Sequence, residues 1–281
     1  MKIVVKFAGA LLEELETVKS LAAQVAALAR RGHRILVVHG GGRVFTATLK
    51  RMGIESRFVS GLRVTDRETR DAAVMVFAGL LNKQLSAAIS AAGQPAIGIS
   101  AADAACFRAE PLVHNDTEGS LGYVGYLTGA NTDLLESLWS AGLLPVAACL
   151  GLGPDGELYN INADHMAAAC AEYLRADQLI YLTDVDGVLE GERILSAVAC
   201  DEIERLVQAK IVSGGMVLKL EAARRALEGG VGGVHIVGGT VPGGLLAALG
   251  PTAAASFPAA PGTRVLREPL AAPIPAAMSA A

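Results

Sequence analysis

The chain has 281 residues, is alanine-rich and 52% apolar, carries only 4% aromatic residues and has a formal net charge of −4. That is long enough to bury a full core, and the mild acidity excludes the basic field that nucleic acid requires. No uncharged apolar run of about 18 residues reads as a membrane span, Met1 leads directly into a strand with no basic leader before it, and Cys106, Cys149, Cys170 and Cys200 are too scattered for a metal knuckle. Reduced thiols and a cytoplasmic location are expected.

Met1 to Phe7 is apolar and β-branched and reads as a buried strand ending in Lys6-Phe7-Ala8-Gly9-Ala10. Apolar residues at helical spacing from Glu13 to Arg31 predict a helix closed by Gly32. Ile35 to Val38 repeats the strand pattern and ends in His39-Gly40-Gly41-Gly42. A short helix from Val44 to Met52 and an extended piece from Ile54 to Val59 follow. Thr65 or Asp66 is expected to cap a long helix to about Ala92. Pro95 to Ser100 is a strand. Between Cys106 and Leu127 the rhythm breaks into two strands, Leu112 to His114 and Tyr123 to Leu127, around a polar Asn115 to Ser120 turn. This excursion is either a lid or a plain surface hairpin.

Asn131 caps the next helix, Leu143 to Ala147 is a strand, and Gly151 to Gly156 is a turn leading to Tyr159 to Asp164, which opens an alanine-rich helix to about Ala176. The pattern then recurs: a strand at Gln178 to Leu182, a helix at Ile203 to Ala209, and a loop at Ile211 to Gly215 leading into the helix that carries Lys219. A strand at Val234 to Val237, a helical turn at Leu245 to Leu249 and a closing strand at Thr263 to Leu266 complete it. The tail from Arg267 lacks periodicity. Alternating strands and helices imply an α/β fold, a mainly parallel central sheet sandwiched by helices.

Two strands that end in glycine turns and hand over to helices offer bare backbone N–H groups to anions. Lys6 stands just before one of them. Two anion cradles with a lysine between them point to phosphoryl transfer. No GxxxxGK[ST] phosphate loop is present.

Several motifs in order resemble the amino acid kinase family, over Met1 to about Leu266. They are Lys6 to Gly9, His39-Gly40-Gly41-Gly42, Gly61-Leu62-Arg63-Val64-Thr65-Asp66 and Ala78-Gly79-Leu80-Leu81-Asn82-Lys83. Gly129-Ala130-Asn131-Thr132-Asp133, Asn160-Ile161-Asn162-Ala163-Asp164, Asp184-Val185-Asp186-Gly187-Val188-Leu189 and Gly215-Met216 leading to Lys219 follow. The resemblance is to the branch that transfers the ATP γ-phosphoryl to the side-chain carboxylate of N-acetyl-L-glutamate, a step towards arginine. It implies Lys6 and Lys219 as charge-stabilising catalytic residues oriented by Asp164, and Gly9 on phosphate. Gly41, Gly42, Arg63 and Asn160 would hold the acylamino acid, with Asn162 as a helix cap. Asp184, Val185, Asp186, Gly187, Val188 and Leu189, with Ile211, Val212 and Ser213, would hold ATP. Magnesium would ride on the ATP phosphates with no dedicated protein ligand. Residues 1–175 would form the acceptor lobe, 176–266 the nucleotide lobe and 267–281 a loose tail. A homodimer is implied, and the start at the first strand implies weak or absent arginine feedback.

The chain departs from the family at Ala8, where a glycine is usual and a negative φ is therefore required. Arg43-Val44-Phe45 and Val237-Gly238-Gly239 also differ. These departures leave open another acylamino acid, N-succinylglutamate or carrier-linked aminoadipate, and, in another class, a non-catalytic amino-acid sensor.

Overall fold

The computed structural model describes residues 1–113, 120–250 and 262–268. His114, most of the Asn115 to Ser120 turn and the tail beyond Glu268 lie outside the described residues.

Strands β1 (Lys2–Phe7) and β2 (Arg34–His39) are joined by α1 (Leu15–Arg30). α2 (Gly42–Arg51) starts on the glycine run itself. Of the expected extended piece Ile54 to Val59, only the end is a strand: β3 (Phe58–Val59) pairs antiparallel with β4 (Leu62–Arg63). Ser60 (φ 48°) and Gly61 (φ 79°) supply the two positive φ values of a tight hairpin turn.

The long helix is present but composite. Asp66 caps α3 (Arg67–Ala73) by accepting from Thr69 N at 2.8 Å, a π-helical stretch runs from Val74 to Leu81, and α4 (Asn82–Ala91) completes it. By length and composition Arg67–Ala91 could cross a membrane, but half of that stretch is buried in the fold, where it packs on α1, on β5 (Ala96–Ile99) and on the strand Leu144–Ala148.

The break in rhythm is larger than a hairpin. β6 is Phe107–Pro111, not Leu112 to His114, and β7 is Val124–Ala130. α5 (Thr132–Ser140) is capped by Asn131, and β8 (Leu144–Ala148) follows. The segments expected as a turn and a helix start hold two strands, β9 (Leu150–Leu152) and β10 (Leu158–Ile161). Together β10, β7, β6 and β9 close a four-stranded barrel. Such short strands carry too few residues for their alternation to stand out.

α6 (Ala163–Leu174) then begins, and Arg175 ends it in the left-handed conformation. β11 (Gln178–Thr183), the hairpin β12 (Val188–Glu190) and β13 (Arg193–Leu195), and β14 (Ala197–Ala199) precede α7 (Ile203–Gln208) and α8 (Gly215–Glu228). β15 (Val234–Gly238), α9 (Gly244–Ala248) and β16 (Thr263–Leu266) close the chain.

The main sheet has eight strands in the order β14-β16-β15-β11-β1-β2-β8-β5. Only the β15–β16 pairing is antiparallel. β1 lies between β2 and β11, so the two halves of the chain meet on either side of it. That strand-order reversal opens a crevice at the carboxyl ends, where Lys6 pairs in register with Val38 and Tyr181. Alternate residues of β1 face opposite cores: Ile3, Val5 and Phe7 pack with α1, whereas Val4 joins the alanines of α6. The run Ala167–Ala168–Ala169 lets α6 lie close over the sheet. The cysteines are free, and Cys106, Cys149 and Cys170 are buried.

Candidate active site

The two glycine turns touch backbone to backbone. A Cβ on Gly9 would sit 2.5 Å from Gly42 Cα and N, and one on Gly42, whose φ is +46°, would meet Gly9 Cα at 2.7 Å. Glycine is therefore required at both positions. Ala8 has φ −66° and ψ 142°, extended backbone that alanine adopts without strain. The glycine run is fixed from below by His39, which is wholly buried and whose pKa burial pushes down to about 4. The neutral ring meets Gly40 O through Nδ1 (3.1 Å) and Asn82 Nδ2 through Nε2 (3.2 Å). The Asn82 amide must donate to Nε2, since it also donates to Val146 O, which places the ring proton on Nδ1. The motif carried Asn82 and His39 without a role; the π-helical stretch delivers Asn82 to this ring, and no sequence pattern announces it.

Lys6, Asp164 and Lys219 come together from β1, the first turn of α6 and α8. Lys6 Nζ is 2.8 Å from Asp164 Oδ1, and Lys219 Nζ lies 2.9 Å and 3.0 Å from Oδ1 and Oδ2. All three side chains are buried. Asn162 caps α6 by accepting from Asp164 N (2.9 Å) and His165 N (3.2 Å), as expected. Burial works against the Asp164 carboxylate, but the two ammonium groups more than offset it and hold its pKa at about 2. Burial and the neighbouring Lys6 charge bring Lys219 down to about 8, against the pull of Asp164. Lys219 Nζ also faces the Tyr181 ring at 5.1 Å. Two ammonium groups share one carboxylate, so the dry site keeps a net positive charge that an anion would neutralise.

A cavity of about 210 Å³ opens beside Lys6, against the glycine run and under the β3–β4 hairpin. Gly9, Gly41, Gly42, Arg63 and Asn160 line it, with Phe45, Phe77, Val124 and Ile161 as its apolar wall. A Cβ on Gly41 would come within 2.1 Å of the Phe77 ring, which itself packs edge-on against Phe45 with centroids 4.7 Å apart. Phe45, unusual on sequence grounds, is a wall of this cavity. Asn160 donates to Thr65 Oγ1 (3.1 Å), which in turn donates to Arg63 O (2.9 Å). The barrel thus contributes Val124, Asn160 and Ile161 to the cavity rather than standing apart from it.

The expected nucleotide segments lie at the same edge of the sheet. Asp184 to Leu189 follow β11, and Ile211 to Ser213 precede α8, the helix of Lys219. Asp184 is exposed, accepts from Thr183 Oγ1 (3.2 Å) and lies 3.7 Å from Arg43 Nη2. Val188 is fully buried and its N–H donates to Thr263 Oγ1 (2.8 Å). Gly238 leaves room for Asp186, whose Oδ1 would lie 2.4 Å from a Cβ there, and Gly239 makes room for Leu11. The glycine pair at the end of β15 is a matter of space. Ile211, Val212 and Ser213 are held by turns, Ile211 N donating to Leu206 O at 3.0 Å.

The sequence profile of the amino acid kinase family matches residues 1–238. The chain belongs to the amino acid kinase family. Its relatives include the acetylglutamate kinase of Koribacter versatilis, 50% identical over 243 residues, which are 85% of this chain and 91% of the relative. That of Acidobacterium capsulatum is 47% identical over 84% of this chain and 90% of the relative. Among solved structures, N-acetylglutamate synthase from Neisseria gonorrhoeae, complexed with coenzyme A and N-acetyl-glutamate, superposes with a TM-score of 0.82 at 26% identity. The match covers 96% of this chain and 60% of that longer one. The family membership agrees with the mainly parallel sheet and with the strand-end glycine turns.

Proposed function

We propose that the chain transfers the γ-phosphoryl group of ATP to the side-chain carboxylate of N-acetyl-L-glutamate, giving N-acetyl-L-glutamyl 5-phosphate in arginine biosynthesis. The observation that carries the reading is the buried Lys6–Asp164–Lys219 cluster beside a cavity lined by Lys6 and Arg63. The relatives named acetylglutamate kinase support the acceptor.

Arg63, which among the described residues has no carboxylate partner, grips the α-carboxylate with its planar fork. Asn160 meets the acyl amide. The side-chain carboxylate then faces Lys6 and the N–H groups of Gly41 and Gly42, while Gly9 and the segments Asp184 to Leu189 and Ile211 to Ser213 hold ATP. A carboxylate oxygen bonds to the γ-phosphorus as the bond from that phosphorus to the β-bridging oxygen breaks, and ADP leaves. The acceptor is already ionised, so no proton moves and no general base is needed. Lys6 stabilises charge between acceptor and phosphoryl oxygens, and Lys219 does so on the leaving side. Asp164 positions both ammonium groups. Its oxygens are taken by them, so it is not a free metal ligand; the exposed Asp184 and Asp186 are the carboxylates that would face the water shell of magnesium carried on ATP, an ion that would neutralise phosphate charge. Residues 1–175 serve the acceptor and 176–266 the nucleotide.

The kinase works in the cytoplasm as a homodimer. An apolar groove of about 960 Å³ between α1, α2 and α4, with Leu15 and Leu80 exposed along it, supports a self-association surface. Light scattering at the mass of one chain would remove the dimer. An ADP-release assay with N-acetyl-L-glutamate, N-succinyl-L-glutamate and no acceptor tests the reaction. Turnover with the first is expected; a rate equal to the acceptor-free control would overturn the reading.

A further inference from the structure

Arg63 is held in an unusual way. Its Nη2 donates to Thr46 Oγ1 at 2.7 Å and its Nη1 donates to Ser56 Oγ. The guanidinium carbon lies 4.9 Å from the centroid of Phe45 and 4.5 Å from that of Phe58. Phe45 and Thr46 belong to α2, whereas Ser56 and Phe58 belong to the segment that forms the β3–β4 hairpin. The guanidinium therefore ties the hairpin to α2 over the mouth of the cavity. Its remaining N–H donors have no carboxylate among the described residues.

The ring of Phe45 is buried by Phe77 and Leu49 neighbours in the core, so its contact with Arg63 comes with its packing. Phe58 is different. It is 55% exposed, at the two-residue strand β3, and its large apolar ring gains little from burial there. Phe58 lines the acceptor cavity, and its ring face is set 4.5 Å from the guanidinium there, the geometry of a cation–π contact.

We propose that Phe58, with Phe45, is a positioning residue for Arg63: the aromatic faces and the two hydroxyls fix the guanidinium so that its free edge meets the α-carboxylate of the acylamino acid. The inference rests on the reading of Arg63 given under the proposed function. Phe58 makes the site selective for acceptors that carry a carboxylate beside the acylamino group, because a neutral group there accepts at most a single, weaker hydrogen bond from an oriented guanidinium.

The test compares wild type, Phe58→Leu and Phe58→Tyr in steady-state kinetics. N-acetyl-L-glutamate is the acceptor, and its α-amide, with the side-chain carboxylate intact, is a competing ligand. Phe58→Leu keeps an apolar side chain and removes the ring. It is expected to raise KM for N-acetyl-L-glutamate about fivefold, with kcat and KM for ATP unchanged. Phe58→Tyr restores the wild-type KM. The inhibition constant of the α-amide rises by less than about twofold in Phe58→Leu, because that ligand makes only a single, weaker contact with the guanidinium. A wild-type KM in Phe58→Leu overturns the proposal. So does an equal loss for the α-amide, which would mean that Phe58 touches the substrate itself. No turnover of N-acetyl-L-glutamate by wild type is a separate outcome, which strikes the proposed function. Because Phe58 is exposed and lies outside the core, its replacement is not expected to disturb folding, and an unchanged melting temperature checks this.

Discussion

The two sides of the crevice are built differently. On the acceptor side Gly40, Gly41 and Phe45 are buried, Arg63 is braced by two rings and two hydroxyls, and the cavity is formed before any ligand arrives. On the nucleotide side Asp184, Asp186, Leu189 and Ser213 are exposed, and α8 begins in open glycines, Gly214 and Gly215. The contrast teaches where selectivity is paid for in rigidity. A small acylamino acid offers few groups to recognise, so each must meet a partner already in place. ATP is larger and brings its own counter-ion. Among the points where the sides meet, two bear on the chemistry. One is Asp164, shared by Lys6 and Lys219. The other is the hairpin tip, where a Cβ on Gly61 would lie 3.1 Å from Leu218 Cδ1, one residue before Lys219.

The largest effect should come from the shared point. Lys6→Ala removes an ammonium group needed most in the transition state, and kcat should fall roughly a thousandfold. Asp164 keeps Lys219 as its partner, so the fold should survive, which circular dichroism can check. A rate within tenfold of wild type would separate Lys6 from the chemistry.

A smaller effect should be confined to one side. In Gly41→Ala the new methyl group runs into the Phe77 ring and into Phe45 Cβ, 2.8 Å away. The displaced aromatic wall should raise KM for the acceptor about thirtyfold, leaving KM for ATP within a factor of about two. Equal changes in both constants would dissolve the distinction between the sides.

The alkaline limb is next. Lys219 must be charged to act, yet burial and Lys6 lower its pKa to about 8. The charged form dominates below that value, so kcat/KM for ATP should be flat there and fall about tenfold per unit at higher pH. Lys219→Arg should move the limb beyond the measurable range, because a guanidinium keeps its proton. A limb unchanged in that variant would assign it to another group.

Much of this was legible in sequence, for reasons that differ by element. β1, β2, β8, β11 and β15 are mostly apolar runs, with charged or polar residues set chiefly at their ends, and such runs are the signature of strands buried on both faces. The Lys6–Asp164–Lys219 cluster was visible through motif order, since each residue follows a strand or a helix start that the sheet must bring to one edge. β9, β10, β12, β13 and β14 do not stand out because three or four residues hold too little alternation, and their pairing is decided by barrel closure, by the β12–β13 hairpin and by the sheet edge. β6 was misplaced by several residues because Phe107–Pro111 contains Arg108 and Glu110 on its outer face, which reads as polar loop. The bracing of Arg63 was invisible: Thr46 and Ser56 lie ten residues apart on elements whose approach only the folded chain defines.

The smallest effect tests the open side. Asp184 is 52% exposed at its side chain and sits 3.7 Å from Arg43, so its pairing is weak and screened. Asp184→Asn should raise KM for magnesium-ATP only about threefold and leave KM for the acceptor unchanged. The same substitution has a second, signed consequence. The Asp184 charge favours the ammonium form of Lys219. Removing it lowers the Lys219 pKa further, so the alkaline limb of kcat/KM should move to lower pH. A limb that stays put, with KM for ATP unaltered, would mean that Asp184 is merely a solvated carboxylate and that the nucleotide is held by the backbone of the β11 and α8 turns. A limb that moves while the acceptor constant holds would keep the two sides distinct in binding and coupled through charge at Lys219.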